Sequence, residues 1–317
     1  MDRISVIIAT FNRREMLKRL LGSFDKLECP CPVEFIIIDD CSDDGTDSVA
    51  EEWKRTHASA EIKYHVLPAR SGPARARNAG ILLSTGNFLA FTDSDCVVDP
   101  AWLEQLYNRL VQSPELAGAG GRVLALGNDI YSRYNTIYRV LESPDHINAV
   151  ITANCMFRRQ PVIDAGLFDE YFVLPGGEEI ALCMKIWLGG GRFGYEEKAV
   201  VFHDYRQNLG IFFATFYHYG EGERLLFDHN LTDYLRYILY PEQAENNLGF
   251  RHPLAFTALF CLRILFGIAI QHRFLRNVSS SFTERLGLNA LYALHHVAYH
   301  LGRGTFHMRL QKTMKKA

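Results

Sequence analysis

The chain has almost no excess charge of either sign. Its 34 Lys and Arg face 36 Asp and Glu, a formal net charge of -2 over 317 residues, so nucleic acid is not an expected partner. A cysteine framework is missing too. Seven cysteines are scattered, an odd number without scaffold spacing, which fits reduced thiols in a cytosolic compartment. Cys29 and Cys31, one residue apart among prolines, have neither redox nor zinc spacing. The glycine-rich dinucleotide fingerprint is absent after the first apolar run, and so is a P-loop. Phosphates are therefore not expected on a helix N-terminus there. Met1-Asp2-Arg3 runs straight into Ile4-Ser5-Val6-Ile7-Ile8, so no signal peptide is expected. What remains is an ordinary globular composition, 48% hydrophobic and 22% charged. The length suffices for one large α/β domain plus an appendage.

Apolar runs of strand length alternate with stretches of helical spacing. Ile4–Ala9 is a β-branched run, followed by the loop Thr10-Phe11-Asn12-Arg13 and by helical spacing over Glu15–Phe24. Val33–Ile38 is a second buried strand and ends in Asp39-Asp40. The turn chemistry of Cys41–Thr46 leads into a helix over Asp47–His57. Ile62–Leu67 is a third strand, and Gly72-Pro73 opens a helix that carries Ala74–Gly80. This alternation implies βαβ units and a mainly parallel sheet, in which ligands bind outside the carboxyl ends of the strands.

The fourth run, Asn87-Phe88-Leu89-Ala90-Phe91, stops abruptly at Thr92-Asp93-Ser94-Asp95. A hydrophobic strand needs no carboxylates at its end for stability. A divalent cation carrying phosphates does, because Mg²⁺ or Mn²⁺ prefers hard oxygen ligands and keeps positions free for substrate. Residues two apart on an extended backbone face one side, which suits Asp93 and Asp95. Three strand ends thus carry Thr10–Arg13, Asp39-Asp40 and Asp93–Asp95. Arg70, Arg75 and Arg77 lie between the second and fourth of these ends; each could face a nucleotide or be a solvated helix position.

Four blocks carry a resemblance. Ser5-Val6-Ile7-Ile8-Ala9-Thr10-Phe11-Asn12-Arg13, Ile38–Thr46, Ala76-Arg77-Asn78-Ala79-Gly80 and Phe91-Thr92-Asp93-Ser94-Asp95 resemble, in order, the signatures of glycosyltransferase family 2, over roughly residues 4–220. The resemblance implies an α/β protein of the GT-A type, a mainly parallel twisted sheet flanked by helices. Residues 1–225 would form the transferase domain, with 1–100 as the nucleotide-sugar half and 101–225 as the acceptor half. Residues 226–317 would be a helical C-terminal region. It also implies inverting transfer from a nucleotide-diphosphate-sugar, a UDP-sugar before others, with Mg or Mn as the divalent cation. The acceptor would be a hydroxyl of a glycan, lipid-linked or other molecule, as in cell-surface polysaccharide, glycolipid or other glycoconjugate synthesis. On the matching positions, Thr10, Asn12, Arg13, Asp39, Asp40, Arg77, Asp93 and Ser94 are expected at the nucleotide sugar, with Asp39 or Asp40 on base or ribose. Asp95 is the expected principal metal ligand of this DXD motif, with Asp93 on ribose or metal. Ala9 stands where the family more often has proline.

The second half departs further. Asn154–Arg159 and Gly166–Glu170 resemble the acceptor-side segment. At Gly176-Gly177-Glu178-Glu179 the family usually has Glu-Asp, the aspartate acting as general base. Glu179 matches that position with one extra methylene, a reach about 1.5 Å longer, and Ala181 stands where a second acid is often found. Glu179 is the favoured base and Glu178 the alternative; both acids would also complement a helix N-terminus. His203, after the strand-like Ala199–Phe202, matches a histidine that can reach metal or diphosphate, and neutral imidazole suits Mn²⁺. Phe212–Arg224 resembles a further helix of the family. One rival reading is a nucleotide-sugar-binding protein with impaired catalysis. Another is a sugar-nucleotide pyrophosphorylase, which would need a Gly-rich, Arg/Lys-bearing loop after the first strand.

Beyond Leu225 the resemblance stops. Pro253–Ile270 is almost wholly apolar but contains Arg263. A spanning helix needs about 20 apolar residues, and a central arginine costs about 2.5–3.5 kcal/mol. A buried helix, or one lying on the cytoplasmic face of a membrane, is expected ahead of a spanning one. Leu286–Leu301 reads as another helix, on which His296 and His300 are four apart with no acid nearby in sequence, so packing is expected of them. Arg303, Arg309, Lys312, Lys315 and Lys316 make a basic tail that suits anionic headgroups or a frayed end.

Overall fold

The computed structural model describes residues 2–142, 149–205, 208–239 and 281–314. The apolar run 253–270 lies outside them, as do Lys315 and Lys316. The chain forms two compact units, Met1–Gly127 with Tyr138–Tyr205, and Asn128–Ile137 with Arg206–Ala317. A short internal segment, Asn128–Ile137, thus belongs with the C-terminal helices.

The first unit opens with β1 (Ile4–Thr10), α1 (Arg14–Phe24), β2 (Val33–Asp39), α2 (Thr46–Thr56), β3 (Glu61–Val66), α3 (Pro73–Leu83) and β4 (Phe88–Thr92). These are the alternating elements that β-branched runs and amphipathic spacing dictate. It continues through β5 (Cys96–Val98), α4 (Trp102–Gln112) and β6 (Leu116–Ala125). After the excursion of α5 (Ile130–Ile137) into the second unit come β7 (Asn154–Arg158), α6 (Arg159–Asp164), α7 (Glu178–Leu188) and β8 (Arg192–His203). The eight strands form one sheet in the order β3-β2-β1-β4-β7-β6-β8-β5. Strands β1, β2, β3 and β4 run parallel, as do β6 and β8, while β7 is antiparallel to both its neighbours and β5 is antiparallel to β8.

That order has a consequence for the acidic turn. Strands β4 and β5 are joined by Asp93–Asp95 alone, yet lie four places apart in the sheet. In a flat sheet four places span ~19 Å, whereas the chain from Thr92 to Cys96 reaches at most ~14 Å. The sheet must curl, and the turn sits where the curl brings β5 back towards β4.

The side chains of β1 and β2 alternate between two packed faces. Val6, Ile8 and Ile37 share a core with Leu17, Leu20 and Phe24 of α1, Trp53 of α2 and Trp102 and Leu106 of α4. On the other face Ile7 and Ile38 meet α3, which comes so close that a Cβ at Gly80 would lie 2.4 Å from Ile7 Cγ2. The glycine of Ala76–Gly80 therefore sets how near α3, and Arg77 upon it, approaches the strand ends.

The second unit comprises α5, α8 (Leu209–Leu239) and α9 (Phe282–Met314). Both long helices extend past the spans that apolar spacing indicates. Helices α8 and α9 cross backbone to backbone: a Cβ at Gly220 would meet the Tyr299 carbonyl, and one at Gly302 the Tyr217 carbonyl. His295 lies between them, stacked on Phe216 at 3.7 Å between centroids and hydrogen-bonded through Nδ1 to the Tyr134 hydroxyl at 2.7 Å. Burial, then His296 and His300, push its pKa down to about 3, so it is a neutral packing group. No helix among the described residues is long and apolar enough to cross a membrane.

Candidate active site

The carboxyl ends of β1, β2 and β4 and the start of α7 bring the expected residues into one region of the first unit. Parallel register places Thr10 opposite Asp39. Thr10 is buried, with its Oγ1 making no hydrogen bond. Asn12 adopts a left-handed φ of 49°, and ties two loops together. Its N–H donates to Ser42 Oγ (2.9 Å) and its Oδ1 accepts from the Asp43 N–H (2.9 Å).

Asp39 and Asp40 are buried, and their oxygens already serve the loops. Asp39 Oδ1 accepts from the Ser42 N–H (2.8 Å) and Oγ (2.6 Å), and its Oδ2 from the Tyr64 hydroxyl (2.7 Å). Asp40 accepts from the N–H groups of Ser71 (2.6 Å) and Gly72 (2.8 Å). These two acids shape the loops after β2 and before α3. What they can still offer a ligand is their remaining lone pairs. Neither Tyr64 nor Ser71 carries a sequence signal for this, because a lone tyrosine in a strand and a serine before Gly-Pro look like ordinary fold residues.

Arg77 is the hinge of the charge network. It is buried; Nη1 donates to Glu178 Oε1 at 2.8 Å and Nη2 to Asp93 Oδ1 at 3.1 Å. Burial opposes its charge, and Asp93, Glu178 and Glu179 more than restore it, holding the guanidinium above its ordinary pKa. Glu178 and Arg77 are 101 positions apart, so only the fold discloses this pair.

The two adjacent glutamates have opposite surroundings. Gly176 and Gly177 take positive φ of 123° and 97°, a turn that glycine adopts freely and that starts α7. It aims the Gly176 N–H at Glu178 Oε2, 2.7 Å away. Glu178 is thus buried with both oxygens engaged. Glu179 Oε2 is closed off from solvent with no hydrogen-bond partner. Burial, then the charge of Glu178, raise its pKa well above the usual glutamate range, and Arg77 offsets this only in part.

Beside β4, Ser94 is buried and Asp95 even more enclosed than Asp93. Antiparallel pairing sets Cys96 opposite His203, which carries the histidine at the end of β8 to Asp95: Nε2 stands 3.4 Å from Oδ1. Arg13 Nη1 rests on Asp95 Oδ2. Burial works against that guanidinium, and Asp95 and Asp93 outweigh it, so its pKa lies above the ordinary arginine value. Asp95, Cys96 and His203 each bring a donor atom to within 4.8 Å of one another, the one group of this kind among the described residues.

These donors fit a divalent cation in part. Asp95 offers a hard oxygen and His203 a nitrogen, a pair that suits Mn²⁺. His203 Nδ1 is buried with no hydrogen bond, an orphaned polar atom of the sort a ligand relieves. Cys96 fits poorly: its thiol belongs to the hydrophobic core, and burial followed by Asp95 and Asp93 raises its pKa well above the ordinary value, so it stays protonated.

Comparison with known proteins bears on the family and the fold. Residues 5–166 match the family model described as glycosyl transferase family 2. A pre-mycofactocin glycosyltransferase of Mycobacterium tuberculosis is 31% identical over 228 residues, covering 68% of this chain and 46% of that protein. The chain spans about half the length of the curated relatives it matches. Among solved structures, a mannosyltransferase from Pyrobaculum calidifontis in complex with GDP-Man and Mn²⁺ has a TM-score of 0.66 at 18% identity, over 95% of this chain and 86% of that one. GalNAc-T7 with UDP, GalNAc and Mn²⁺ has a TM-score of 0.54 at 20% identity, over 65% and 43%. These two likenesses concern the fold, which is of the GT-A type. With more than half of its length matched by the family model, the chain belongs to glycosyl transferase family 2.

Proposed function

We propose that the chain is an inverting, metal-dependent glycosyltransferase that moves a sugar from a nucleotide-diphosphate-sugar to an acceptor hydroxyl. The observation that carries this reading is the contrast at the start of α7. Glu178 is consumed by Arg77 and Gly176, while Glu179 keeps an unpartnered oxygen of raised proton affinity. A general base needs a pKa lifted towards the working pH.

In this reading Asp95 and His203 hold the cation, with Asp93 beside them. The bound cation supplies neutralisation of the charge that develops on the leaving diphosphate. Thr10, Asn12, Arg13, Ser94 and Arg77 line the nucleotide sugar. Asp39 and Asp40 act there mainly by holding the loops after β2 and before α3, and offer their spare lone pairs to base or ribose. Glu179 accepts the proton of the acceptor hydroxyl as that oxygen attacks the anomeric carbon. The bond from that carbon to the diphosphate oxygen breaks on the opposite side, and the nucleoside diphosphate leaves with the electron pair. One displacement inverts the centre and requires no protein nucleophile.

GDP-Man in one structural neighbour and UDP in another support a nucleotide-sugar donor of either base. The test is a panel of UDP- and GDP-sugars with and without Mn²⁺, read as thermal stabilisation and as nucleoside diphosphate release. One donor should stabilise the protein in a metal-dependent way. A panel in which none binds, with or without metal, overturns the reading.

A further inference from the structure

The two arginines of the acidic centre are held differently. Arg77 is gripped by two carboxylates and buried within α3. Arg13 meets Asp95, and its side chain is 25% exposed while that of Asp95 is 4% exposed. The backbone around Arg13 is pinned. Asn12 is bonded to Ser42 and Asp43, and the Arg14 N–H donates to Asp44 Oδ2 at 3.0 Å. Any departure of the guanidinium therefore uses its own side-chain torsions, and Asp95 cannot follow it outwards.

Charge makes that departure necessary if a cation is to use Asp95. Asp93, Asp95 and Glu178 are matched by Arg13 and Arg77, so the arginines neutralise most of the acid. A dication on the same carboxylate as a guanidinium would face a like charge in contact, at a buried site where water screens little. A diphosphate changes the balance, since its oxygens accept a guanidinium fork as well as a carboxylate does.

We propose that Arg13 is a stand-in cation on Asp95 that competes with the divalent metal in the free protein and moves to the diphosphate when metal and nucleotide enter together. Metal and nucleoside diphosphate then bind with positive coupling, and the coupling passes through Arg13. The inference rests on the reading of Asp95 as a cation ligand. Because coupling is reciprocal, the nucleotide also binds more tightly when metal is present.

The experiment is Mn²⁺ titration of the full chain, read by the electron-spin-resonance signal of free Mn²⁺, alone and with UDP, GDP, UMP or GDP's monophosphate. In the unmutated protein the bound diphosphate should tighten Mn²⁺ by roughly 5–150-fold, and the matching monophosphate clearly less. Arg13→Gln should bind Mn²⁺ alone at least about 5-fold more tightly and lose most of the coupling, with Arg13→Lys between the two. Arg13→Gln protein that melts like the parent but binds Mn²⁺ alone no better overturns the inference. Should Arg13→Gln fail to fold, equal tightening by diphosphate and monophosphate in the parent overturns it instead. Asp95→Asn separates the two levels. Unchanged Mn²⁺ binding in Asp95→Asn removes the metal reading itself. Loss of binding there, with no effect of Arg13→Gln, removes only the role of Arg13.

Discussion

The two compact units both bury polar groups and form ion pairs, and the sheet unit gathers its charges around one acidic turn. In the sheet unit charge faces charge: Arg77 between Asp93 and Glu178, Arg13 on Asp95, His203 alongside. The set does not close on itself, because Glu179 Oε2 and His203 Nδ1 are buried without hydrogen bonds. In the helical unit several polar groups pair off with close neighbours. His295 joins Tyr134 and Phe216, His218 meets Glu221 at 2.9 Å, and the Tyr299 hydroxyl and Arg303 share Glu223. A cluster of ionisable residues is therefore not yet a site. What marks one is proton affinity or a donor atom that the fold leaves over.

The comparison can be broken most severely at Asp95. Asp95→Ala should remove detectable sugar transfer and weaken nucleoside diphosphate binding far more than nucleoside binding, because its carboxylate acts through the cation. Isothermal titration with UDP, GDP and their nucleosides, alongside a transfer assay, checks both. Full transfer in excess chelator would contradict the assignment.

Glu178 tests the contrast between the neighbouring acids. The charge of Glu178 raises the pKa of Glu179 and ties up Arg77, which lowers it. Glu178→Gln changes both in the same direction, so Glu179 should lose its proton at lower pH. The acid limb of the pH–rate profile should move to lower pH, with a smaller loss of turnover than a missing base would cause. A limb that moves upwards, or a loss of turnover as large as a missing base would cause, would reverse the roles of the two residues.

The smallest effect on turnover is expected in the helical unit. His295 is held neutral with a pKa near 3, against an ordinary value of 6.5. The unfolded chain takes up a proton that the folded one refuses, so this contribution to stability is present above about pH 6.5 and is lost as pH falls towards 3. His295→Phe should flatten that acid-side decline in melting temperature while leaving the rate of transfer unchanged. A tenfold fall in rate with normal melting would mean that the helical unit takes part in the chemistry.

Much of the first half was legible because its elements obey local rules. The β-branched runs of β1 and β2 and the amphipathic spacing of α1 and α2 need little from the rest of the chain. Strand β6, Leu-Ala-Gly-Ala-Gly-Gly-Arg-Val-Leu-Ala, was not legible. Its small residues have weak strand propensity and are needed for room: a Cβ at Gly118 would lie 2.9 Å from Phe157 and one at Gly121 2.3 Å from the Ala199 carbonyl. Strand β8 begins at Arg192, ahead of the apolar Ala199–Phe202, because Glu196, Glu197 and Lys198 interrupt the pattern at a register shift opposite Gly121 and Arg122. At the site, the acids after β2 and β4 stand out as residues that strands do not need. Their partners do not, since Tyr64 for Asp39, Arg77 for Glu178 and His203 for Asp95 are brought together by register and by the curl of the sheet. The adjacency of Glu178 and Glu179 hides their difference, which arises from what packs around each.

The account depends most on Glu179 as the base, and one variant separates chemistry from binding. Glu179→Gln keeps size and hydrogen-bonding capacity and removes proton affinity. With a donor identified from the panel, its turnover should fall by roughly 10²–10⁴-fold, while the dissociation constant of the metal-bound donor stays within a factor of about two. Turnover at the parent rate in Glu179→Gln, with donor binding intact, would contradict the account, because the proton of the acceptor would then be taken by another group.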